Sequence, residues 1–66
     1  METPLEQRIK GSWMQMRGRI RETWGAITDD DLDRAEGQLE QLIGRIEART
    51  GQQRAEIRRK LNELAA

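Results

Sequence analysis

Apolar residues in the first third of the chain recur at helical spacing. They follow one another at intervals of three or four residues: Leu5, Ile9, Trp13, Met16, Ile20 and Trp24. At 100° per residue they fall on a face about 100° wide, as on a helix that lies against a core. Thr3 is a good N-cap, and Pro4 suits the first helical position. The pattern predicts one helix over about residues 4–24, weakened near Gly11, with Ser12 as a rival helix start.

A helix end, a short connection and a helix start follow within residues 24–31 (WGAITDDD). Gly25 is expected to take the left-handed conformation that closes a helix. Thr28 with Asp31 three residues later matches a capping box. Three carboxylates in one first turn also face the positive end of the helix macrodipole. The chain is therefore predicted to turn after Trp24 and to begin a new helix at about residue 29.

Further apolar stripes continue the helical pattern to the end of the chain. A short helix is predicted up to Gly37, a longer one over about 38–49 closed by Gly51, and a last one over about 53–65. Their apolar faces carry Leu32 and Ala35, then Leu39, Leu42, Ile43 and Ile46, then Ile57, Leu61 and Leu64. The chain has no valine, phenylalanine or tyrosine and no period-2 run, so no strand is predicted.

The glycines suggest an internal repeat. Two sets of three are spaced seven residues apart: Gly11, Gly18 and Gly25, then Gly37, Gly44 and Gly51. A shift of 26 aligns the two sets with six identities in fifteen positions. Each half would be a long helix, a glycine turn and a shorter helix, and two such hairpins must cover each other's apolar faces. The expected fold is an all-α four-helix domain over residues 1–66. Its predicted core is Trp13, Met16, Ile20, Trp24, Leu32, Leu39, Leu42, Ile46, Ile57 and Leu61.

Gly11 and Gly18 lie nearly opposite the first apolar stripe on a helical wheel. Each costs up to about 1 kcal/mol relative to alanine inside a helix. Two interpretations stay open: a tolerated local softness, or a close approach by another segment of the chain or by a partner.

Composition limits the function classes. Sixty-six residues without cysteine or histidine leave no disulfide, no histidine–cysteine cluster for a structural metal and room for only a small core. The chain has no histidine base and no cysteine nucleophile, and its single serine looks like a helix cap, so neither an enzyme nor a cofactor is expected. Asp29, Asp31 and Asp33 alternate like calcium ligands, but Arg34 replaces the loop glycine, so no metal site is predicted. No apolar run or leader pattern appears, and we expect a cytoplasmic protein.

The charges are segregated although they sum to zero. Residues 1–25 carry five basic and three acidic side chains, residues 26–48 two and seven, and residues 49–66 five and two. The net charges are therefore +2, −5 and +3. This order predicts that the acidic middle packs beside the two basic ends and neutralises them.

Basic side chains nevertheless form a candidate interaction surface. Its members are Lys10, Arg17 and Arg21 on the first helix and Arg54, Arg58 and Arg59 near the C-terminus. Basic residues beside tryptophans could bind phosphates and stack on bases. They could equally form a solvated face on which arginine stems cover tryptophan edges. Zero net charge and the aspartate-rich turn disfavour a polyanion. The preferred partner is therefore a protein, with nucleic acid as the alternative and a membrane surface less favoured still.

Three segments resemble one known family. Residues 9–13 (IKGSW), 24–32 (WGAITDDDL) and 41–46 (QLIGRI) are similar to the CsbD-like family of small bacterial general stress proteins. Members often have asparagine in place of Ser12 and an aromatic before the glycine that matches Gly51. The resemblance implies a single domain of two crossed helical hairpins and a stress setting, with no assigned molecular activity. It therefore favours a non-enzymatic stress protein that acts through macromolecular contacts.

Overall fold

The computed structural model describes residues 3–66, which form five α-helices and no strand. They are α1 (Pro4–Gly11), α2 (Trp13–Thr23), α3 (Asp29–Ala35), α4 (Leu39–Thr50) and α5 (Arg54–Ala65). The all-α class is confirmed. The predicted count of four helices is wrong, because the segment expected to be one helix over 4–24 forms two. Within the described residues, no helix is long and apolar enough to cross a membrane.

The first helix is interrupted at Ser12. This residue has φ −123° and ψ 32°, outside the helical region, and its N–H still bonds the Arg8 carbonyl at 3.0 Å. Its own carbonyl accepts the N–H of Met16 at 2.9 Å, so a new helix starts there. Ile9 on α1 and Met16 on α2 are both buried. The interruption lets α1 pack on α4 and α5 while α2 packs on α5. The rival helix start at Ser12 is therefore the correct one.

The core forms where α5 meets α1, α2 and α4, with α3 packed on α4. Every predicted core residue is buried except Trp13, which is half-buried and packs against the cluster. Ile27 is also buried, although it belongs to no helical stripe and lies in the connection before α3. The apolar cluster consists of Leu5, Ile9, Met16, Ile20, Trp24, Ile27, Leu32, Ala35, Leu39, Leu42, Ile43, Ile46, Ile57 and Leu61.

The helix ends agree with most of the capping predictions. The Thr28 hydroxyl accepts the Asp31 N–H at 3.1 Å, and the Asp31 carboxylate accepts the Thr28 N–H at 3.1 Å, so the capping box is confirmed. Gly51 closes α4 with φ 75°. Gly25 is a correction, because it does not adopt a positive φ. The Ile27 N–H bonds the Trp24 carbonyl at 3.0 Å, so a tight turn at this point replaces a left-handed cap.

The internal repeat is not confirmed. Helices α2 and α4 do start 26 residues apart, at Trp13 and Leu39. However, the paired glycines differ in backbone conformation, since Gly37 has φ 79° whereas Gly11 is the last residue of α1. The described chain is a five-helix arrangement, and two equivalent hairpins are not established.

A close approach within the chain does not account for the helical glycines. A Cβ added at Gly11 or Gly18 would have no heavy atom within 4 Å among the surroundings in the described chain. At Gly37 it would lie 3.5 Å from the Lys10 Cγ and 3.7 Å from the Trp13 ring. This removes another segment of the chain as the explanation of Gly11 and Gly18. Tolerated softness and approach by an external partner remain. Among the glycines, all of which lie in the described residues, Gly37 is the buried one. It lies under the interruption at Ser12, which we call the α1–α2 break.

Candidate functional site

A buried carboxylate, Asp31, joins α3 to α4. Its side chain is 3% exposed. Arg49 donates from Nε to Oδ2 at 2.9 Å and from Nη2 to Oδ1 at 3.2 Å, and Arg45 donates from Nη1 to Oδ1 at 3.1 Å. The Thr28 hydroxyl lies 3.0 Å from Oδ2 in addition to the capping bonds. We call Thr28, Asp31, Arg45 and Arg49 the Asp31 cluster.

The environment of the Asp31 cluster keeps the carboxylate ionised. The Arg49 guanidinium holds the pKa of Asp31 well below its ordinary value, against the opposing effect of burial, and the bonds from Thr28 and Arg45 lower it further. Both oxygens already accept several donors, which leaves little capacity for a metal ion or a transferable proton. Among the described residues, no group of three or more acidic side chains is placed to hold a metal ion. The cluster therefore serves to fix two helices together.

The predicted basic residues of α2 face the carboxylates of α3. Arg17 Nη1 lies 2.6 Å from Asp33 Oδ1, and Arg21 Nη1 lies 2.9 Å from Asp29 Oδ1. A longer contact of 3.9 Å joins Arg17 to Asp29. We call these contacts the α2–α3 ion pairs. Lys10, the third predicted member, lies on α1 beside Gly37.

The predicted basic residues of α5 are paired in the same way. Arg54 bonds the Glu40 carboxylate and lies 3.3 Å from Glu47 Oε1. Arg58 Nη2 lies 3.6 Å from Glu40 Oε1. We call these contacts the α4–α5 ion pairs. Arg59 instead pairs with Glu56 of its own helix at 3.4 Å. As the charge pattern predicts, acidic side chains from the middle of the chain lie against both basic ends.

A shallow pocket of about 300 Å³ lies at the α1–α2 break, formed by residues 10–15. Met14 is 84% exposed there, beside the half-buried Trp13. The apolar stripe did not include Met14, and the spacing of the stripe already places it off the core face. This small apolar surface is distinct from both groups of ion pairs.

Sequence reasoning missed two further sets of contacts. The roles of Arg45 and Arg49 were not predicted, although their i, i+4 spacing places them on one face of α4. The second set involves polar groups that join distant segments. The Trp24 indole donates to Gln52 Oε1 at 2.8 Å, and Arg19 Nη1 donates to the Leu64 carbonyl at 2.7 Å near the end of α5. No local sequence signal indicates these two bonds.

Comparison with known proteins places the chain among bacterial relatives. UPF0337 protein PA4738 of Pseudomonas aeruginosa is 51% identical over 43 residues, which cover 65% of this chain and 66% of that protein. UPF0337 protein NE2439 of Nitrosomonas europaea is 39% identical over 57 residues, 86% of this chain and 61% of that protein. UPF0337 protein YjbJ of Escherichia coli O6:H1 is 38% identical over 52 residues, 79% of this chain and 75% of that protein.

The first two relatives are longer than the matched segment, since the chain spans 66% and 61% of their lengths. No solved structure matches the chain. The CsbD-like family model matches residues 7–59, which include the α1–α2 break, the capping box and the Asp31 cluster. The chain belongs to the CsbD-like family.

Proposed function

We propose that the protein is a small, non-enzymatic, cytoplasmic stress-response protein that acts by contact with other macromolecules, preferentially with proteins. Membership of the family supports the stress setting. The amino-acid composition supports a role without catalysis, because the chain has no histidine or cysteine and its one serine lies at the interruption between α1 and α2. Asp31, the buried carboxylate, is occupied by structural bonds.

The exposed Met14 is the observation that carries the preference for a protein partner. A large apolar side chain that is 84% exposed gains free energy when a partner removes it from water. Methionine also adapts its shape readily to different contact surfaces. Together with the exposed part of Trp13 it offers an apolar contact of the kind that protein interfaces use at their centres.

The ion pairs favour a protein over a nucleic acid. Arg17, Arg21, Arg54 and Arg58 each lie within 4 Å of a carboxylate from a neighbouring helix. A phosphate group would have to compete with that carboxylate for the guanidinium. The aspartates of α3 would then repel the polyanion at close range.

Site-specific photo-crosslinking in stressed cells tests the protein contact. A photoreactive residue replaces Met14 in one variant and Gln41, an exposed residue of α4, in a control variant. We expect defined crosslinked proteins from position 14 and not from position 41. In a second pair of variants the photoreactive residue replaces the neighbouring Gln15. There, Met14→Gln should reduce the yield of crosslinked proteins relative to the protein that keeps Met14. Equal yields from positions 14 and 41 would contradict a specific contact at the α1–α2 break.

A mobility-shift titration with DNA and RNA at two salt concentrations tests the nucleic-acid alternative. Phosphate binding releases counterions, so duplex affinity falls with a slope of about −0.9 per phosphate neutralised. We expect no binding at low salt. Micromolar, salt-sensitive binding that is lost in the double variant Arg17→Ala/Arg21→Ala would replace the protein partner with a nucleic acid.

A further inference from the structure

The ionic contacts between helices fall into two classes that differ in exposure. The Asp31 carboxylate is buried, at 3% exposure, although its partners Arg45 and Arg49 are 31% and 49% exposed. The α2–α3 and α4–α5 ion pairs lie outside, since Asp29 and Asp33 are each 65% exposed and Glu40 is 68% exposed. Added salt screens exposed pairs strongly and buried pairs much less. Ionic strength therefore acts on the outer contacts selectively.

The outer pairs add to the core packing that holds these short helices in place. The helices contain 7 to 12 residues each, and isolated helices of this length are marginal in water. Helix α3 packs mainly on α4, so its attachment to α2 depends on the connection over 24–28 and on the α2–α3 ion pairs. The basic segments thus attach through salt-sensitive contacts to an acidic unit, α3 and α4, that the Asp31 cluster holds together.

We propose that the outer ion pairs form a salt-releasable clasp. A rise in ionic strength loosens α2 and α5 from the α3–α4 unit, which opens last. Loosening exposes apolar side chains that are buried in the closed domain, among them Ile20 on α2, Trp24 directly after α2, and Ile57 and Leu61 on α5. These side chains enlarge the contact surface at Met14. This last step rests on the proposed protein-contact function, whereas the opening itself does not.

Amide hydrogen exchange of the purified chain, read helix by helix, tests the opening. Exchange is compared at about 0.05 M and about 1 M NaCl, where the Debye length falls to about 3 Å. We expect amides of α2 and α5 to exchange on the order of fivefold faster at high salt, with amides of α4 beside the Asp31 cluster little changed. An equal change of the exchange rate in all helices, or no change in α2 and α5, would overturn this proposal.

Matched charge-neutralising variants separate the clasp from a general charge effect. Arg54→Gln removes the bonds to Glu40 and Glu47 and leaves the longer Arg58–Glu40 pair, so α5 should exchange at low salt faster than the wild type, at up to the rate of the wild type at high salt. Arg34→Gln is the control, because Arg34 pairs with Asp30 inside α3 at 2.9 Å and joins no two helices. Equal effects of the two substitutions would overturn the proposal. Should Arg54→Gln fail to fold, Arg58→Gln, which removes one pair of 3.6 Å, must give a smaller change confined to α5.

Binding of Nile red, an uncharged apolar dye, tests the exposure of the contact surface. Dye fluorescence should rise with NaCl in the wild type and should already be high at low salt in Arg54→Gln. Faster exchange of α2 and α5 without additional dye binding would show that loosening does not expose an apolar contact surface, and would overturn that step of the proposal. Because neither measurement includes a partner, failure of the clasp is distinguishable from failure of the crosslinking at position 14.

Discussion

The indole N–H of Trp24 donates a hydrogen bond of 2.8 Å to the side-chain carbonyl of Gln52, 28 residues further along the chain. Trp24 directly follows α2 and Gln52 precedes α5, so the bond joins the connection before α3 to the connection before α5. The ring is 5% exposed and packs in the core. The bond satisfies the one polar atom of a side chain that is otherwise apolar. Trp24 therefore contributes both apolar burial and a fixed position for the two connections.

Trp24→Ala should remove about 3–5 kcal/mol of the free energy of unfolding, because a large buried ring leaves a cavity. That is most of the stability expected for so small a domain. Gln52→Ala should cost about 1 kcal/mol, since it leaves the indole N–H without its partner. Gln53→Ala is the control, because Gln53 makes no side-chain cap bond to α5. Urea unfolding followed by circular dichroism measures all three, and a Trp24→Ala midpoint near the wild-type value would contradict the packing argument.

The start of α3 allows a cap to be separated from a helix-dipole charge. Thr28→Ala removes the hydroxyl that accepts the Asp31 N–H and should cost about 1 kcal/mol. Asp30→Ala removes an exposed first-turn carboxylate and its pair with Arg34, at a cost of about 0.3–1 kcal/mol at low ionic strength. Only the second loss should shrink when NaCl is added. Thermal unfolding at two salt concentrations makes the comparison, and equal salt sensitivity would mean that the roles are misassigned.

Local features of the fold, and the packing of the acidic middle beside the two basic ends, could be predicted from the sequence, whereas most specific contacts between distant segments could not. The stripe containing Ile20 and the pairing of Thr28 with Asp31 follow from spacing over one or two turns. The bonds from Arg49 to Asp31 arise only when α4 packs on α3, so no window of sequence contains them. Ser12 was ambiguous because helical spacing continues through it, and the packing of α1 on α4 and α5 decides the break. The apolar stripe predicts Trp13 in the core, but its position beside that break leaves it half-buried.

Asp31 should make stability pH-dependent in the acidic range. The pKa of Asp31 is lowered in the folded chain, chiefly by Arg49, below an unfolded value of about 3.9. A lowered pKa contributes stability that is fully present above the unfolded value and is lost as pH falls towards the folded value. Asp31→Asn should therefore cost about 1.5–3 kcal/mol above about pH 5, and the difference from the wild type should shrink below about pH 4.

Unfolding by urea at several pH values measures this dependence of the Asp31→Asn effect. Asp30→Asn serves as the control, because Asp30 is 70% exposed and joins no second helix. Its effect should be small at every pH. A cost of Asp31→Asn that stayed constant from pH 7 to pH 3 would show that the ionised carboxylate is not what stabilises the α3–α4 packing.

Glycines in helices and glycines at helix ends should respond oppositely to alanine. A Cβ at Gly18 or Gly44 would meet no neighbour within 4 Å, so Gly18→Ala and Gly44→Ala should each stabilise by about 0.5–1 kcal/mol. Gly37 has φ +79°, a conformation that alanine rarely adopts, and Gly37→Ala should destabilise by about 1 kcal/mol or more. Thermal unfolding shows whether each substitution raises or lowers the stability. A destabilising Gly18→Ala would mean that the backbone at Gly18 is not freely helical.

The same Gly18→Ala variant also decides between tolerated softness and an external partner. Gly18 lies one helical turn beyond Met14, on an exposed part of α2. If a partner approaches the bare backbone there, the added methyl group should lower the yield of crosslinks from a photoreactive residue at position 14, although the domain itself becomes more stable. Gly44→Ala, which adds the same methyl group on α4, should leave that yield unchanged. A yield that falls in neither variant would assign Gly18 to tolerated softness, whereas a fall in both would trace the loss to altered stability rather than to a contact.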